Sequence, residues 1–267
     1  MPLVTSLQDV QPKPRTESWE KPVPLVEFKG VSFHFGEKMI FDGLDFEIPA
    51  GERMVLLGPS GIGKTTLLRL LLRILDPERG KILYGGVDIA CLTRAQLSRL
   101  RTKVGMVFQS SALVSSLNVF ENLALSLREL TNKSESEIRA IAKEKLRFVD
   151  LENAEKLMPS ELSGGMKKRI AVARALVMNP DLILFDEPTT GLDPIVGQQV
   201  CELIRDLNQK TGVTVLVVTH DIHNAFRVAT RIAVLDRGRI MQEGPPEAIM
   251  ASRVPVVEQF VSSGLES

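Results

Sequence analysis

Short apolar runs recur along most of the chain, each next to a segment with helical periodicity. Met54–Leu57 ends at a glycine, and Leu182–Phe185 and Val213–Val218 are similarly short and apolar. Runs of this length without polar alternation are typical of strands buried on both faces of a sheet. A helix is expected after Asp193, because Pro194 suits the first helical position. Buried strands that alternate with helices predict an α/β fold with a mixed, mainly parallel core sheet.

A different pattern precedes the first of these runs. Apolar residues alternate imperfectly with polar ones at Val26, Phe28, Val31 and Phe33, and a further apolar segment follows at 46–48. Alternation with a period of two is typical of strands that bury one face. We therefore predict an N-terminal antiparallel β subdomain ahead of the core sheet.

The middle of the chain carries helical signals. Asn118 is followed by Glu121, and Ser134 by Glu137, and both pairs have the spacing of a helix-start capping box. Apolar residues then recur at helical spacing over 138–149. These signals predict a helical subdomain, about residues 110–175, inserted into the α/β core.

Composition changes at both ends of the chain. Prolines at positions 12, 14, 22 and 24 stand among polar neighbours, which disfavours helices and strand ladders. We expect a flexible leader over 1–24, unless Trp19 pins it to the body. The main domain is expected over 25–244. A short tail follows over 245–267, with candidate docking contacts at Ile249, Val254, Val256, Val257, Phe260 and Val261.

Overall composition and charge narrow the class of protein. The chain has 267 residues, 44% of them hydrophobic and 25% charged, as in ordinary soluble globular proteins. Because 33 Lys and Arg balance 33 Asp and Glu, nucleic acid is not expected as the main partner. Cys91 and Cys201 predict a reducing compartment and no disulfide framework. We find neither a secretory signal nor an apolar stretch long enough to span a bilayer, so the chain itself is expected to stay out of the membrane.

A glycine-rich loop follows the first apolar run. Residues 58–65, Gly-Pro-Ser-Gly-Ile-Gly-Lys-Thr, match the phosphate-loop pattern in full. Glycines there let successive backbone N–H groups point at phosphate oxygens, and the helix N-terminus adds positive potential. Lys64 can reach the β- and γ-phosphates, and the Thr65 hydroxyl can ligate Mg²⁺. The alternative, a glycine-rich turn that binds nothing, is disfavoured by the full match between a predicted strand and a predicted helix.

Two carboxylates end the second apolar run. Asp186 and Glu187 follow Leu182–Phe185, which delivers them to the edge of the sheet where α/β ligands bind. Asp186 would hold Mg²⁺, usually through water, and Glu187 would orient or deprotonate the water that attacks the γ-phosphate. Such a pair alone is more often a solvated loop, but the phosphate loop reverses those odds. Kinases, GTPases and ATPases share this chemistry, so the reaction class stays open at this point.

A second glycine nest lies ahead of the acidic pair. Ser163 stands as a cap before Gly164 and Gly165 at the start of a helical pattern, an arrangement that binds anions. By itself the segment would be a plain helix cap with a basic, exposed first face. One nucleotide does not need two helix N-termini far apart in sequence. We therefore expect each nest to serve a different copy of the chain, with ATP sandwiched in a dimer.

In this order, the motifs resemble those of the ATP-binding subunit of an ABC transporter over nearly all of residues 25–244. The resemblance implies the P-loop NTPase ABC nucleotide-binding fold and the hydrolysis of ATP with Mg²⁺. It implies that Phe35 stacks on adenine and that Gln109 contacts Mg²⁺ and links to the membrane partner. It also implies that Asp193 couples the two sites of a dimer and that His220 senses the γ-phosphate.

The resemblance assigns the site residues to three sets. Those implied in catalysis are Glu187, His220 and Lys64. Those implied as metal ligands are Thr65, Gln109 and Asp186. Those implied to contact the nucleotide and its metal are Phe35, Gly58, Pro59, Ser60, Gly61, Ile62, Gly63, Lys64, Thr65, Thr66, Gln109, Ser163, Gly164, Gly165, Asp186 and Asp193.

Two residues depart from the family pattern. Met166 stands where the family usually has Gln. Phosphate contact rests on Ser163 and the glycine backbone, so activity is expected to survive while the contacts of the amide are lost. Phe35 replaces the commoner Tyr, which keeps the stacking face and loses a hydroxyl.

The segments 58–69, 108–113, 118–122 and 158–166 are very similar to those of Mla/Mce-type ATPases, which drive transport of phospholipid or other hydrophobic molecules. The similarity implies a peripheral place on the cytoplasmic face of the inner membrane and integral membrane permease subunits, docked near residues 109–122. A small accessory protein and a substrate-binding Mce-type protein are further candidate partners, and no nucleic acid is expected.

Other classes of protein remain as alternatives. ABC ATPases of amino-acid import or lipoprotein release are the nearest, although they usually keep a Gln at the position of Met166. A soluble, non-transport ABC ATPase fits less well, because the chain has one set of motifs and no long insertion. A P-loop kinase or GTPase would leave Ser163–Gly165 unexplained.

Overall fold

A computed structural model of the chain describes residues 24–265. The leader expected over 1–24, with Trp19, lies outside that range except for Pro24, which begins the first strand. Short 3₁₀ turns occur at Ile89–Cys91, Glu152–Ala154 and Pro159–Glu161. The strands and helices are β1 (Pro24–Phe35), β2 (Lys38–Pro49), β3 (Arg53–Leu57), α1 (Lys64–Leu71), β4 (Arg79–Tyr84), β5 (Val87–Asp88), α2 (Arg94–Thr102), β6 (Val104–Val107), α3 (Val119–Leu130), α4 (Glu135–Phe148), α5 (Gly164–Leu176), β7 (Leu182–Asp186), α6 (Pro194–Thr211), β8 (Thr214–Thr219), α7 (Ile222–Val228), β9 (Arg231–Asp236), β10 (Arg239–Gly244), α8 (Pro246–Met250) and α9 (Pro255–Leu265).

The N-terminal strands form an antiparallel sheet, as predicted. Its order is β2-β1-β4-β5. The pairing of β1 with β2 shifts register between Phe28 and Val31 and again between Val31 and Phe33. The first shift places an extra residue in β1, which moves its buried side chains to the other phase of the alternation, and the second places an extra residue in β2. The first shift explains why the apolar pattern of β1 alternates only imperfectly.

The core sheet has the mixed, mainly parallel character that the sequence predicts. Its order is β10-β9-β3-β8-β7-β6, and only β10 among these described strands runs antiparallel to its neighbour. Leu57 pairs with Thr219, Asp186 with Val218, and Val107 with Phe185. The carboxyl ends of β3, β8, β7 and β6 therefore meet at one edge, where α/β proteins bind their ligands.

Apolar side chains cover both faces of the core sheet. In β3, Val55 and Leu57 face one cluster, which includes Val119 and other residues of the helical lobe formed by α3, α4 and α5. Met54 and Leu56 face the other cluster, which includes side chains of the antiparallel sheet and α1. These four of the five side chains of β3 are fully buried. Burial on both faces is why the core strands lack polar alternation.

The helices of the lobe begin where their capping residues predict. Asn118 Oδ1 accepts the Glu121 N–H at 2.8 Å, and α3 follows. Ser134 and Glu137 form a reciprocal capping box, and α4 follows. The segment 110–118 is not helical, because the buried Asn122 side chain bonds the N–H and C=O of Val114 and holds an irregular loop.

The C-terminal segment packs on its own chain. Ile249 of α8 and Val257 and Val261 of α9 are buried in the same cluster as the helical lobe. Val254, Val256 and Phe260 lie partly buried against that cluster. Much of the apolar surface considered for docking is therefore used within the chain. Within residues 24–265, no helix combines the length and apolar character needed to cross a bilayer.

Candidate functional site

The phosphate loop joins β3 to α1 in a backbone shape that only glycine permits. Gly61 and Gly63 have φ of +76° and +115°, where a side chain is strained. A Cβ on Gly63 would lie 2.5 Å from Cγ2 of Ile40, and one on Gly58 would lie 2.6 Å from the Leu235 carbonyl oxygen. The loop is thus packed against the antiparallel sheet on one side and β9 on the other, at the N-terminus of α1.

The Lys64 side chain lies inside this loop and is buried. Its Nζ donates to the carbonyls of Gly58 at 2.8 Å and Pro59 at 3.0 Å. The same nitrogen is 3.4 Å from Oε1 of Glu187. Burial lowers the pKa of Lys64, and the charges of Glu187 and Asp186 oppose that shift. The ammonium is therefore held at the point where the loop meets the acidic pair.

Thr65 and Asp186 place two oxygens side by side. Thr65 Oγ1 donates to Asp186 Oδ1 at 3.0 Å. Burial raises the pKa of Asp186, and the hydrogen bond from Thr65 opposes the shift. Mg²⁺ prefers oxygen ligands in octahedral geometry, where neighbours at about 2.1 Å from the ion are about 3 Å apart. The hydroxyl and carboxylate therefore fit two adjacent positions of one Mg²⁺ ion.

Glu187 has a strained backbone and a fully held carboxylate. Its φ is +48°, a region that costs a non-glycine residue about 1–3 kcal/mol and is concentrated at functional sites. Oε1 lies 3.0 Å from Nδ1 of His220, and Oε2 accepts from Thr219 at 3.0 Å and Thr190 at 3.3 Å. Burial raises the pKa of Glu187, but the His220 hydrogen bond and the Lys64 charge outweigh it, so the pKa is lowered overall.

An ionised Glu187 fixes the direction of its hydrogen bond with His220. An ionised carboxylate can only accept hydrogen bonds, so Nδ1 of His220 carries the hydrogen in this contact. The other ring nitrogen of His220, Nε2, takes no part in this contact. His34 has a different place, on the surface, with Nδ1 2.7 Å from Oε2 of Glu78.

Gln109 and Phe35 lie on elements next to those that form this centre. Gln109 follows β6, the strand next to β7, and its side chain is exposed. Phe35 ends β1 and is also exposed, with its ring edge-on to Phe33 at a centroid distance of 4.9 Å. Because Gly63 packs on β2, the β1–β2 hairpin that carries Phe35 lies against the phosphate loop.

The second glycine nest is built separately. Ser163 Oγ accepts the Met166 N–H at 3.3 Å and caps α5. A Cβ on Gly165 would lie 2.7 Å from Cγ1 of Val196, in the first turn of α6, which Asp193 caps. Among residues 24–265, no hydrogen bond or ion pair joins Ser163–Gly165 to the phosphate loop.

Four polar side chains at the site escaped the sequence motifs. Thr190 and Thr219 hold Glu187, and Thr219 could have been noticed as the residue that ends β8. Lys168 and Arg174 of α5 bind the main chain after β6. Burial lowers the pKa of both side chains, and for Lys168 the negative charge of Asp186 opposes that shift. A basic α5 face looks exposed from the sequence, yet Lys168 is buried.

Comparison with known proteins gives one family. A family model described as ABC transporter matches residues 41–190. The probable ribonucleotide transport ATP-binding protein mkl of Mycobacterium leprae is 45% identical over 89% of this chain and 68% of its own length. The intermembrane phospholipid transport system ATP-binding protein MlaF of Escherichia coli K12 is 43% identical over 89% of this chain and 88% of its own length.

Solved structures give the same fold. The cbiO1 protein of Clostridium perfringens, part of the ABC transporter complex cbiONQ, has a TM-score of 0.80 at 28% identity, covering 88% of this chain and 94% of its own. The ATP-binding cassette MJ0796, a dimer in a post-hydrolysis state bound to ADP and Pi, has a TM-score of 0.74 at 34% identity. That likeness covers 83% of this chain and 98% of MJ0796.

Proposed function

Because this chain belongs to the ABC transporter family and is an ATPase subunit of such a transport system, we propose that two copies close around two Mg·ATP to drive a membrane permease. The observation that carries the proposal is the convergence of Lys64, Thr65, Asp186, Glu187 and His220 at one edge of the sheet. This set can bind a triphosphate, hold a metal and orient water, which is what ATP hydrolysis needs.

The phosphate loop and the acidic pair divide the binding between them. Lys64 would exchange its loop carbonyls for the β- and γ-phosphate oxygens, a stronger charge-assisted contact. Thr65 and Asp186 would hold Mg²⁺, with Gln109 as a further ligand from the neighbouring strand. When bound, Mg²⁺ neutralises charge on the phosphates. Phe35 would stack on the adenine ring from the hairpin beside the loop.

Glu187 is proposed to position the attacking water. Its pKa is lowered below the ordinary value, so the carboxylate is ionised at neutral pH and can accept a proton from water. Thr219 and Thr190 fix one oxygen and His220 fixes the other. A base held this firmly needs little reorganisation when the water attacks.

The dimer completes each site. The Ser163–Gly165 nest shares no polar contact with the phosphate loop within residues 24–265, so its anion would come from the other copy. Asp193 caps α6 directly beside that nest, where it can couple the two sites. The dimeric MJ0796 cassette supports this arrangement.

A groove beside Gln109 is the proposed permease site. It has a volume of about 350 Å³. Phe108, Val114, Leu125 and Leu130 line it and are exposed. Exposed apolar side chains that rim a groove mark protein contacts, and this groove adjoins the loop that carries Gln109. An apolar permease segment seated there would place the chain on the cytoplasmic face of the inner membrane, alongside any accessory or Mce-type subunit.

Phospholipid is the proposed cargo. The support is the similarity to MlaF over 88% of that protein's length, together with Met166, which follows the Ser163–Gly165 nest in place of the usual Gln. The chain matches a smaller share, 68%, of the ribonucleotide-transport relative. Vesicles that contain the chain with its permease should move a fluorescent phospholipid when ATP is added. Movement of a ribonucleotide instead would contradict the cargo and leave the ATPase proposal standing.

Glu187→Gln tests the hydrolytic assignment. The amide keeps the shape but cannot act as a base, so we expect ATP affinity within about twofold and turnover reduced at least a hundredfold. Glu202→Gln, an exposed residue of α6, is the matched control and should turn over ATP normally. The measurements are nucleotide binding by calorimetry and phosphate release. Unchanged hydrolysis by Glu187→Gln would refute the base assignment.

A further inference from the structure

Helix α5 carries a buried lysine that reaches the loop after β6. Lys168 lies five positions after Ser163 and is only 4% exposed. Its Nζ donates to the main-chain carbonyls of Gln109 at 2.5 Å and Phe108 at 3.4 Å. These carbonyls belong to the segment that carries Gln109, the further Mg²⁺ ligand proposed above.

Burying the charge of Lys168 at this position costs free energy. Among the residues that the structure describes, no carboxylate lies within ion-pair distance of its ammonium. Burial of a charge without an ion-pair partner destabilises the fold, the more distant charge of Asp186 offsets only part of that penalty, and an apolar side chain of similar volume would often make the fold more stable. The two carbonyls satisfy part of its hydrogen-bonding capacity. Retaining a charge here suggests that the contact serves the site rather than stability.

Arg174 fixes the other end of the same loop. Its guanidinium donates to the carbonyls of Ser111 at 2.9 Å and Ala112 at 2.6 Å. These residues have φ of +64° and +44°, two consecutive left-handed positions in which non-glycine residues are strained. Residues 108–112 are therefore held in a strained shape by two cations from one helix.

The same helix begins at the glycine nest. Ser163 caps α5, and Lys168 lies one turn further along, so a shift of the nest must move the lysine as well. The loop that Lys168 holds continues directly from β6, the strand next to β7, which ends at Asp186. The path from the nest to the metal-binding edge thus runs through one helix and one pair of hydrogen bonds.

We propose that Lys168 is a positioning residue that links the nest of α5 to the metal site of the same chain by fixing the Gln109 main chain. When α5 moves on engaging the nucleotide of the other copy, Lys168 carries the Gln109 segment with it and sets the reach of the Gln109 side chain. Lys168 touches neither nucleotide nor metal and acts through Gln109. The inference rests on the proposed ATPase function and adds a route by which one site governs the other.

Lys168→Met in the full-length chain tests the link. Methionine keeps an unbranched side chain one atom shorter and removes the donor and its charge. We expect the half-saturating Mg²⁺ concentration for hydrolysis to rise, and kcat to fall, each by about tenfold, as for other residues that orient a metal ligand. ATP binding without Mg²⁺ should stay within about twofold. Lys168→Arg, which keeps a donor, should recover most of the activity.

Lys145→Met is the matched control. Lys145 lies in the same lobe, its side chain is 13% exposed, and it donates to Glu144 and Asn179 rather than to the loop. The Lys145→Met substitution also removes one positive charge, so any general loss of stability should appear in this variant too. The Mg²⁺ dependence of Lys145→Met should equal that of the natural chain.

The outcomes separate the two proposals. If Lys168→Met keeps the natural Mg²⁺ dependence and kcat, or changes only its unfolding temperature, the link is wrong while the ATPase proposal stands. If the natural chain itself shows no Mg²⁺-dependent hydrolysis, the ATPase proposal fails. A loss in Lys168→Met that Lys168→Arg does not restore at all would also overturn the hydrogen-bond argument.

Discussion

Replacing Thr219 with Val should separate the orientation of Glu187 from the stability of the fold. Thr219 is 2% exposed, and its hydroxyl donates to Glu187 Oε2 at 3.0 Å and accepts the Asp221 N–H at 3.0 Å. Valine has the same shape without the hydroxyl. A hydrogen bond to a charged group contributes about 1.5–3 kcal/mol, so we expect the free energy of unfolding to fall by about 2–3 kcal/mol.

The effect on turnover should be distinct. After the change, Thr190 still donates to Glu187 Oε2 at 3.3 Å and His220 still holds Oε1, so the carboxylate is loosened rather than lost. A penalty near 1.4 kcal/mol in the transition state corresponds to about tenfold in kcat. Each kcal/mol of destabilisation lowers the melting temperature by about 2–4 °C in a chain of this size. Thermal unfolding and phosphate release measure the two effects separately.

Thr214→Val is the matched control for this change. Thr214 begins the same strand, is 3% exposed, and accepts the Gly51 N–H at 2.9 Å. It lies at the opposite end of β8 from Glu187, so its loss should cost about 1 kcal/mol of stability and leave kcat unchanged. Equal kcat in the two variants, or a fall in both, would refute the claim that Thr219 orients the carboxylate.

Three other variants probe the same centre. Gly63→Ala should lose about 3 kcal/mol of stability and most ATP affinity, measured by melting and calorimetry, because its Cβ would lie 2.5 Å from Ile40 at a φ of +115°. Asp186→Asn should abolish hydrolysis yet raise the melting temperature at pH 7, since burial raises the pKa of Asp186. Folding therefore favours the protonated carboxyl, and the ionised carboxylate of the natural chain destabilises the fold at pH 7. That destabilisation is relieved as the pH falls through the folded-state pKa. An Asp186→Asn variant that melts at a lower temperature would contradict this reasoning. Lys64→Ala should weaken ATP binding by about 30- to 100-fold through loss of a charge-assisted contact, and unchanged affinity in a titration would exclude that role.

Much of the fold follows from local sequence patterns. The β3 and β7 strands, the phosphate loop between β3 and α1, and the caps at Asn118 and Ser134 are all encoded within a few residues. Such signals survive tertiary packing because burial on both faces and cap hydrogen bonds are local requirements. The meeting of Asp186 with the phosphate loop also follows, since parallel strands present their carboxyl ends at one edge.

Other elements could not be predicted for physical reasons. The β6 strand contains Gly105, which weakens a strand signal. The structure shows why glycine stands there: a Cβ would lie 2.9 Å from the Ala175 carbonyl oxygen of α5. The burial of Lys168 depends on a loop distant in sequence. The hydrogen bond from Thr190 to Glu187 depends on the local backbone shape. Periodicity reports which face of an element is apolar, not which charged group is drawn under a neighbouring loop.

The strained backbone of Glu187 determines what can move the proposed base. A φ of +48° costs about 1–3 kcal/mol, and the Glu187 N–H bond to the Val218 carbonyl at 2.9 Å helps to maintain it. Both carboxylate oxygens are also held, and two of their partners, Thr219 and His220, sit at the end of β8. Rotation of the Glu187 side chain alone would break those contacts. The position of the base must therefore follow β8, so a movement that repositions Glu187 has to displace the end of that strand.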